Sequence, residues 1–143
     1  MKKCLMIFLV YCFSLTVISC GTKDNTSDNT SAESSSYSDN GTTFTVTVNS
    51  SKYYIDGILT KSLILKKGYT YYFDSTDSTT NNHPLFIGTT SSGGSYTYEY
   101  TSGVTNSRTT TATLTFIVPS DSPSTLYYNC GNHASMGGSI TIL

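Results

Sequence analysis

The stretch YYNCGNHASMGGSITI, from Tyr127 to Ile142, decides how the rest of this chain is interpreted. Cys130, His133 and Met136 stand at three-residue intervals on one short loop, between two runs rich in β-branched and aromatic residues. The chain has 143 residues but only four Cys, three Met and two His, and its other Cys and Met residues all lie at or before Cys20. Beyond Cys20, the Cys, His and Met side chains are therefore these three and His83.

The runs that precede this loop predict an all-β domain. TFTVTV, from Thr43 to Val48, alternates apolar and polar residues, which is typical of a half-buried strand. Further short runs rich in β-branched and aromatic residues are separated by Gly, Asn, Ser and Asp clusters: SLIL, YTYYFD, HPLFIG, YTYEY, TATLTFIV, TLYY and SITIL. Seven to nine strands in about a hundred residues predict a Greek-key β-sandwich or a small barrel.

The YTYEY run carries three tyrosines, Tyr96, Tyr98 and Tyr100, which share one face if the run is a strand. Such a row could bind a sugar or a protein partner. Cross-strand aromatic packing is the commoner use of alternating tyrosines, and we interpret the row as packing.

The N-terminus predicts export and a lipid anchor. Lys2 and Lys3 precede an apolar run that is shorter than a typical transmembrane helix. The run ends in VISC, which resembles the lipobox of bacterial lipoproteins. The resemblance implies that residues 1–19 are a signal peptide and that the chain is cleaved before Cys20. It also implies that Cys20 is acylated and anchors the protein to a membrane of the bacterial cell envelope, periplasmic or surface-exposed.

Residues 20–41 contain almost no apolar side chain, so we expect a disordered Ser/Thr/Asn-rich tether. Residues 42–143 are long enough for one small domain. That domain has five basic and five acidic side chains and a net charge of zero: Lys52, Lys61, Lys66, Lys67 and Arg108 against Asp56, Asp74, Asp77, Glu99 and Asp121. Because the domain has no basic stripe, we do not expect it to bind nucleic acid. With Cys130 as its one cysteine, it has no internal disulfide.

One thiolate, two imidazoles and a weak axial thioether form the ligand set of a type 1 copper site. Soft sulfur stabilises Cu(I) and nitrogen suits Cu(II), so a preset geometry serves both oxidation states. Two other uses of the same residues stay open. Cys130 and His133 could form a thiol nucleophile and its base, or the cluster could hold zinc, for which Met136 is a poor fourth ligand.

The ligand loop YYNCGNHASMGGSITI resembles that of the cupredoxins, and its two-residue gaps are similar to the short loop of the amicyanin type. The resemblance extends through VPSDSPSTLYYNC and back to NNHPLFIG. It implies a copper ion with His83, Cys130 and His133 as equatorial ligands and Met136 as the axial ligand. It also implies that Gly137 and Gly138 let the chain turn closely past the site. Many cupredoxins have Asn after the first histidine, whereas this chain has Pro84, which has no N–H to donate to the cysteine sulfur.

The function that we expect is single-electron transfer between redox protein partners through one type 1 Cu(I)/Cu(II) centre, in a lipid-anchored monomer. An enzyme is not expected, because four protein ligands leave no open position for a substrate. Two alternatives stay open: a copper storage or delivery protein with the same ligands, and a metal-free cupredoxin-like module for adhesion or assembly.

Overall fold

The computed structural model describes residues 37–143. The predicted signal peptide (1–19), the predicted lipidation site Cys20 and residues 21–36 of the predicted tether lie outside the described residues. Within residues 37–143, no helix has the length and apolar character needed to cross a membrane.

Residues 37–143 form a sandwich of two β-sheets, which confirms the all-β prediction. A short 3₁₀ turn, Ser78–Thr80, interrupts the strands. The ten strands are β1 (Thr43–Asn49), β2 (Lys52–Ile55), β3 (Ile58–Leu59), β4 (Leu63–Leu65), β5 (Thr70–Asp74), β6 (Leu85–Gly88), β7 (Val104–Thr105), β8 (Thr113–Ile117), β9 (Thr125–Cys130) and β10 (Gly138–Ile142).

The six-stranded sheet has the order β3-β2-β1-β5-β8-β7, and the four-stranded sheet has the order β4-β10-β9-β6. The pairs β1–β5 and β4–β10 are parallel, and the other strand pairs are antiparallel. The chain therefore passes between the sheets five times, at the connections β3–β4, β4–β5, β5–β6, β6–β7 and β8–β9.

The core lies between the sheets and follows the alternation of the strands. Strand β1 buries Phe44 and Val46, while the threonines that alternate with them, Thr43, Thr45 and Thr47, are exposed or half-buried. Strand β5 in the same way buries Tyr71 and Phe73. Burying a side chain of this size stabilises the fold by about 1.5 to 3 kcal/mol relative to leaving it exposed. The two-residue period thus sets which face of each strand meets the other sheet.

Ten strands exceed the seven to nine predicted, because three short strands, β2, β3 and β7, were not among the predicted runs. Strands β1, β2 and β3 are joined by two-residue turns, Ser50–Ser51 and Asp56–Gly57. All four turn residues have positive φ, as in the type I′ turns that match the twist of paired strands. Asp-Gly is the common sequence for this turn, so the second hairpin had a recognisable signal.

The prediction that Tyr96 to Tyr100 form a strand is wrong. The Glu99 N–H donates to the Tyr96 carbonyl (3.1 Å), so the chain bends into a turn, and only an isolated bridge joins Glu99 to Gly88. The three tyrosines consequently share no face. Tyr96 packs edge-on against Phe86, Tyr100 packs edge-on against Phe116, and Tyr98 is exposed. Packing is thus the role of Tyr96 and Tyr100, but each packs at a different place.

Residues 37–41, which the sequence assigned to the tether, lie against the sandwich. The Ser38 N–H donates to the Ile64 carbonyl (2.8 Å), and the Ser38 carbonyl accepts a hydrogen bond from the Tyr71 hydroxyl (2.8 Å). The Tyr37 ring meets the Tyr69 ring edge-on at 6.2 Å. This short segment therefore covers one end of strand β5.

Candidate metal centre

Three segments bring the candidate ligands together at one end of the sandwich. His83 lies just before β6, Cys130 is the last residue of β9, and His133 lies on the loop from β9 to β10. Strands β6 and β9 are paired, with Leu85 opposite Cys130, so the pairing carries His83 to the side of the cysteine.

Within the described residues, His83, Cys130 and His133 form a group that could hold a metal ion. The Cys130 Sγ lies 3.5 Å from His133 Nδ1 and 3.9 Å from His83 Nδ1. The ligand atoms of the three residues all lie within 4.8 Å of one another. Cys130 is buried, His83 is half-buried and His133 is exposed.

These separations fit a single ion between the three donors. Metal–sulfur and metal–nitrogen bonds of about 2.3 and 2.0 Å, meeting at trigonal or tetrahedral angles, place the two donor atoms about 3.5 to 3.8 Å apart. The two Sγ–Nδ1 distances in the structure, 3.5 and 3.9 Å, bracket that range. The donor set of one thiol and two imidazoles therefore suits a thiophilic transition metal in both chemistry and spacing.

The loop before β6 fixes the backbone of His83. The buried Thr80 is its anchor: the Thr80 hydroxyl lies 2.8 Å from the Ser75 carbonyl, and the Thr80 carbonyl accepts the His83 N–H at 2.8 Å. Burial, and secondarily the neighbouring His133, lowers the pKa of His83. A lowered pKa favours the neutral imidazole that a metal ion requires.

Two hydrogen bonds tie the His83 segment to the ligand loop. The Gly131 N–H donates to the Pro84 carbonyl at 2.9 Å, and the Asn132 side-chain amide donates to the Asn82 carbonyl at 2.8 Å. Pro84 has no backbone N–H, so its main chain offers the carbonyl as a hydrogen-bond acceptor but no donor.

Met136 is fully buried in the same core cluster as Cys130, and its carbonyl accepts the Tyr53 N–H at 3.2 Å. Its role as an axial ligand stays a prediction. Beyond it, Gly137 allows the close turn expected from the sequence, because a Cβ there would lie 1.6 Å from the Tyr128 carbonyl oxygen. No other residue type could follow this path without moving the backbone.

Two tyrosines near the site were missed as site residues. Tyr53, on β2, is fully buried and donates its hydroxyl proton to the His83 carbonyl at 2.6 Å. Burial, and secondarily the neighbouring Cys130, raises the pKa of Tyr53, so the phenol stays protonated. The Asp-Gly turn three residues later could have placed Tyr53 on a hairpin. Nothing in the sequence around Tyr53 indicates its hydrogen bond to the His83 carbonyl.

The second tyrosine, Tyr96, packs on the ligand loop beside the cysteine. A Cβ at Gly131 would lie 2.1 Å from the Tyr96 hydroxyl oxygen, so the phenol packs directly on the ligand loop. Arg108 stacks on the same ring, with its Cζ 4.2 Å from the centroid. The Gly94 N–H donates to the Cys130 carbonyl at 2.9 Å. The β6–β7 connection thus covers the cysteine, which the sequence did not indicate because this contact spans more than twenty residues.

No protein-family model matches the sequence, and no curated protein matches it.

Proposed function

We propose that this protein is a cupredoxin-type electron carrier that holds one copper ion with His83, Cys130 and His133, and with Met136 as a weak axial ligand. The observation that carries the proposal is the meeting of one buried thiol and two imidazoles from separate segments, with Sγ–Nδ1 distances of 3.5 and 3.9 Å. A His–Cys–His set of this kind is the characteristic donor set of electron-transfer copper proteins.

The choice of copper over zinc rests on the fourth donor. Structural zinc sites take four thiolate, imidazole or carboxylate ligands. The candidate group in residues 37–143 contains three such residues and no carboxylate. A thioether is a poor ligand for zinc but a common weak axial ligand for copper, and Met136 follows His133 by three residues in the same loop.

Bound copper would supply a one-electron Cu(I)/Cu(II) couple. The protein's contribution is to hold the donors and exclude water. Cys130 is fully buried, and its carbonyl accepts the Gly94 N–H of the β6–β7 connection. The His83 segment and the ligand loop are tied together by one backbone hydrogen bond and one from the Asn132 side chain, which limits rearrangement when the charge of the site changes. His133 is exposed, and its exposed neighbours Asn132 and Ala134 are uncharged, so we propose its ring edge as the route for the electron.

An enzymatic role is not part of the proposal, because three strong ligands and one axial ligand leave a substrate no coordination position. Attachment to a bacterial envelope membrane through acylated Cys20, redox protein partners and a monomeric state also belong to the proposal. Their support is the VISC motif, the near-neutral domain and the exposed histidine.

The test is spectroscopy and voltammetry of the mature chain after copper loading. A short copper–thiolate bond predicts intense visible charge-transfer absorption, a narrow copper hyperfine splitting in EPR, and a reversible one-electron wave. Cys130→Ser should abolish the absorption and the narrow splitting. Met136→Leu should keep copper bound, because the axial ligand is weak and the substitution conserves volume. Ala134→Ser, an exposed change on the same loop, is the matched control and should leave all three signals intact.

Each other result points to a specific alternative. A chain that stays copper-free after loading overturns the proposal and favours a metal-free adhesion or assembly module. Copper that binds through Cys130 but gives no reversible wave overturns electron transfer and favours storage or delivery.

A further inference from the structure

We propose that strand β2 is the positioning element of the metal centre: Tyr53 and Lys52 hold the His83 segment and the ligand loop in the arrangement that brings the donor atoms together. The inference rests on the proposed function, because it assigns these two residues a role in metal retention. Neither residue is offered as a ligand.

The first contact is made by the Tyr53 hydroxyl, which donates to the His83 carbonyl at 2.6 Å. Tyr53 is fully buried, so its hydroxyl has no water to replace this acceptor, and a buried donor without a partner is costly. The carbonyl belongs to the same residue as the imidazole. Holding it therefore fixes the peptide plane after His83 and, with it, the direction in which the side chain leaves the backbone.

The second contact joins the same strand to the ligand loop, through one backbone N–H and one side chain. The Tyr53 N–H donates to the Met136 carbonyl at 3.2 Å, and the Lys52 ammonium donates to the Ser135 carbonyl. Two consecutive residues of β2 thus reach two consecutive carbonyls of the loop. The loop is held at its far end, while Cys130 holds its near end as the last residue of β9.

The two contacts join the two sheets at the site. Strand β2 belongs to the six-stranded sheet, whereas His83 and the loop lead into β6 and β10 of the four-stranded sheet. The spacing of the His83 and Cys130 donors therefore depends on β2 as well as on the pairing of β6 with β9. Pro84 adds to this dependence, because the peptide after His83 has a carbonyl to be held but no N–H.

Copper release measures the proposed role directly. The mature chain, Tyr53→Phe and Tyr128→Phe are loaded with copper, and transfer of copper to an excess of EDTA is followed by the loss of visible absorption. Tyr128 is a matched control, since it is also fully buried and donates its hydroxyl proton to a single backbone carbonyl, that of Lys61, at 2.9 Å. Both substitutions keep the ring and remove one buried hydroxyl.

Tyr53→Phe should accelerate copper release by about 10- to 100-fold, the usual effect of losing a group that orients a metal ligand. Tyr128→Phe should change copper release by less than about threefold, because that hydroxyl donates to Lys61, which lies outside the His83 segment and the ligand loop. Equal acceleration in the two variants would mean that the effect is general destabilisation, and would overturn the inference, as would unchanged release in Tyr53→Phe.

A metal-free measurement separates this inference from the proposed function. Amide hydrogen exchange of the copper-free chains reports local opening at His83 and at Gly131, whose N–H groups donate to Thr80 and Pro84. Tyr53→Phe should speed exchange at both amides by about tenfold, and Tyr128→Phe should leave them unchanged. If the chain binds no copper, the proposed function fails while this result still decides whether β2 positions the His83 segment.

Lys52→Met tests the loop side and keeps the positioning role testable if Tyr53→Phe does not fold. The substitution retains most of the apolar stem of Lys52 and removes the ammonium that bonds to Ser135. Faster exchange at the amides of the loop, with unchanged exchange in β5 and β8, supports the role of β2. Unchanged exchange in the loop overturns it.

Discussion

Pro84 directly follows a proposed ligand and removes one hydrogen-bond donor from the neighbourhood of Cys130. Hydrogen bonds to a copper-bound thiolate withdraw negative charge from sulfur, which favours the reduced state of the metal. A site with one such bond fewer is expected to have a lower reduction potential. The carbonyl of Pro84 is already used, since it accepts the Gly131 N–H at 2.9 Å.

Pro84→Asn, which restores the missing N–H, should therefore raise the reduction potential of the copper-loaded protein. Voltammetry of the two proteins measures the change, and Pro84→Ala serves as a companion variant that supplies the N–H without a polar side chain. A potential that stays the same or falls, with the visible absorption intact, would contradict this account of the peptide after His83.

Gly137 carries the largest steric constraint at the site, because the space for its Cβ is occupied by the Tyr128 carbonyl oxygen at 1.6 Å. A methyl group there must displace the backbone of either β9 or the ligand loop. We expect Gly137→Ala to lower the free energy of unfolding by about 1 to 3 kcal/mol or more and to weaken copper retention. Urea denaturation measures the loss. Ser139→Ala, in the strand that follows, is the control and should cost much less; similar costs would argue against the close turn.

Among the elements, the long β6–β7 connection contributes an electrostatic contact next to the site. Glu99 is nearly buried, with 7% of its side chain exposed, and accepts hydrogen bonds from Arg108 Nε at 3.0 Å and Ser107 Oγ at 2.6 Å. Burial by itself raises the pKa of Glu99, but the Arg108 and Ser107 hydrogen bonds outweigh burial and leave the pKa lowered. Arg108 in turn stacks on Tyr96, which packs on the ligand loop.

This contact predicts a pH dependence of stability. Because the pKa of Glu99 is lower in the folded state, its contribution is fully present above its ordinary value of 4.5 and is lost as pH falls through the lower folded value. Glu99→Gln should cost about 1 to 3 kcal/mol at neutral pH, and the difference from the natural protein should shrink below pH 4.5. Urea denaturation between neutral and acidic pH measures both. A difference that does not change with pH would show that the carboxylate charge makes no net contribution.

At the scale of the whole molecule, residues 37–41 are expected to add to the stability of the folded unit and not to determine its fold. The apolar core runs from Phe44 to Ile142, so a chain that starts at Thr42 still contains all of it. Residues 37–41 add four hydrogen bonds to the sandwich and place Tyr37 beside Lys66, with the ammonium 5.0 Å from the ring centroid.

A chain that begins at Thr42 should therefore fold into the same sandwich. Its free energy of unfolding should be about 2 kcal/mol lower than that of a chain that begins at Tyr37. Circular dichroism checks the fold, and urea denaturation checks the difference. Loss of the β signal would show that residues 37–41 are essential to folding, and equal stability would show that their contacts contribute nothing net.

Much of the fold and of the candidate site could be predicted because its signals are local. The runs that became β1, β4, β5, β6, β8, β9 and β10 each carry enough β-branched and aromatic residues to indicate a strand. The Tyr96–Tyr100 run carries the same signal but forms a turn, in which the Glu99 N–H donates to the Tyr96 carbonyl, and only an isolated bridge at Glu99 joins it to β6. Propensity describes a segment by itself, whereas pairing depends on the partner strand.

The sequence by itself determined the all-β class and the candidate donors, because the chain beyond Cys20 has a single cysteine and only two histidines. Tertiary structure alone decided that His83 meets Cys130 across 47 residues, that Tyr53 holds the His83 carbonyl, and that Tyr96 covers the ligand loop. The physical reason is the range of the interactions. Side-chain period and donor chemistry are properties of neighbouring residues, whereas these contacts form only when two sheets pack and bring distant strand ends to one edge.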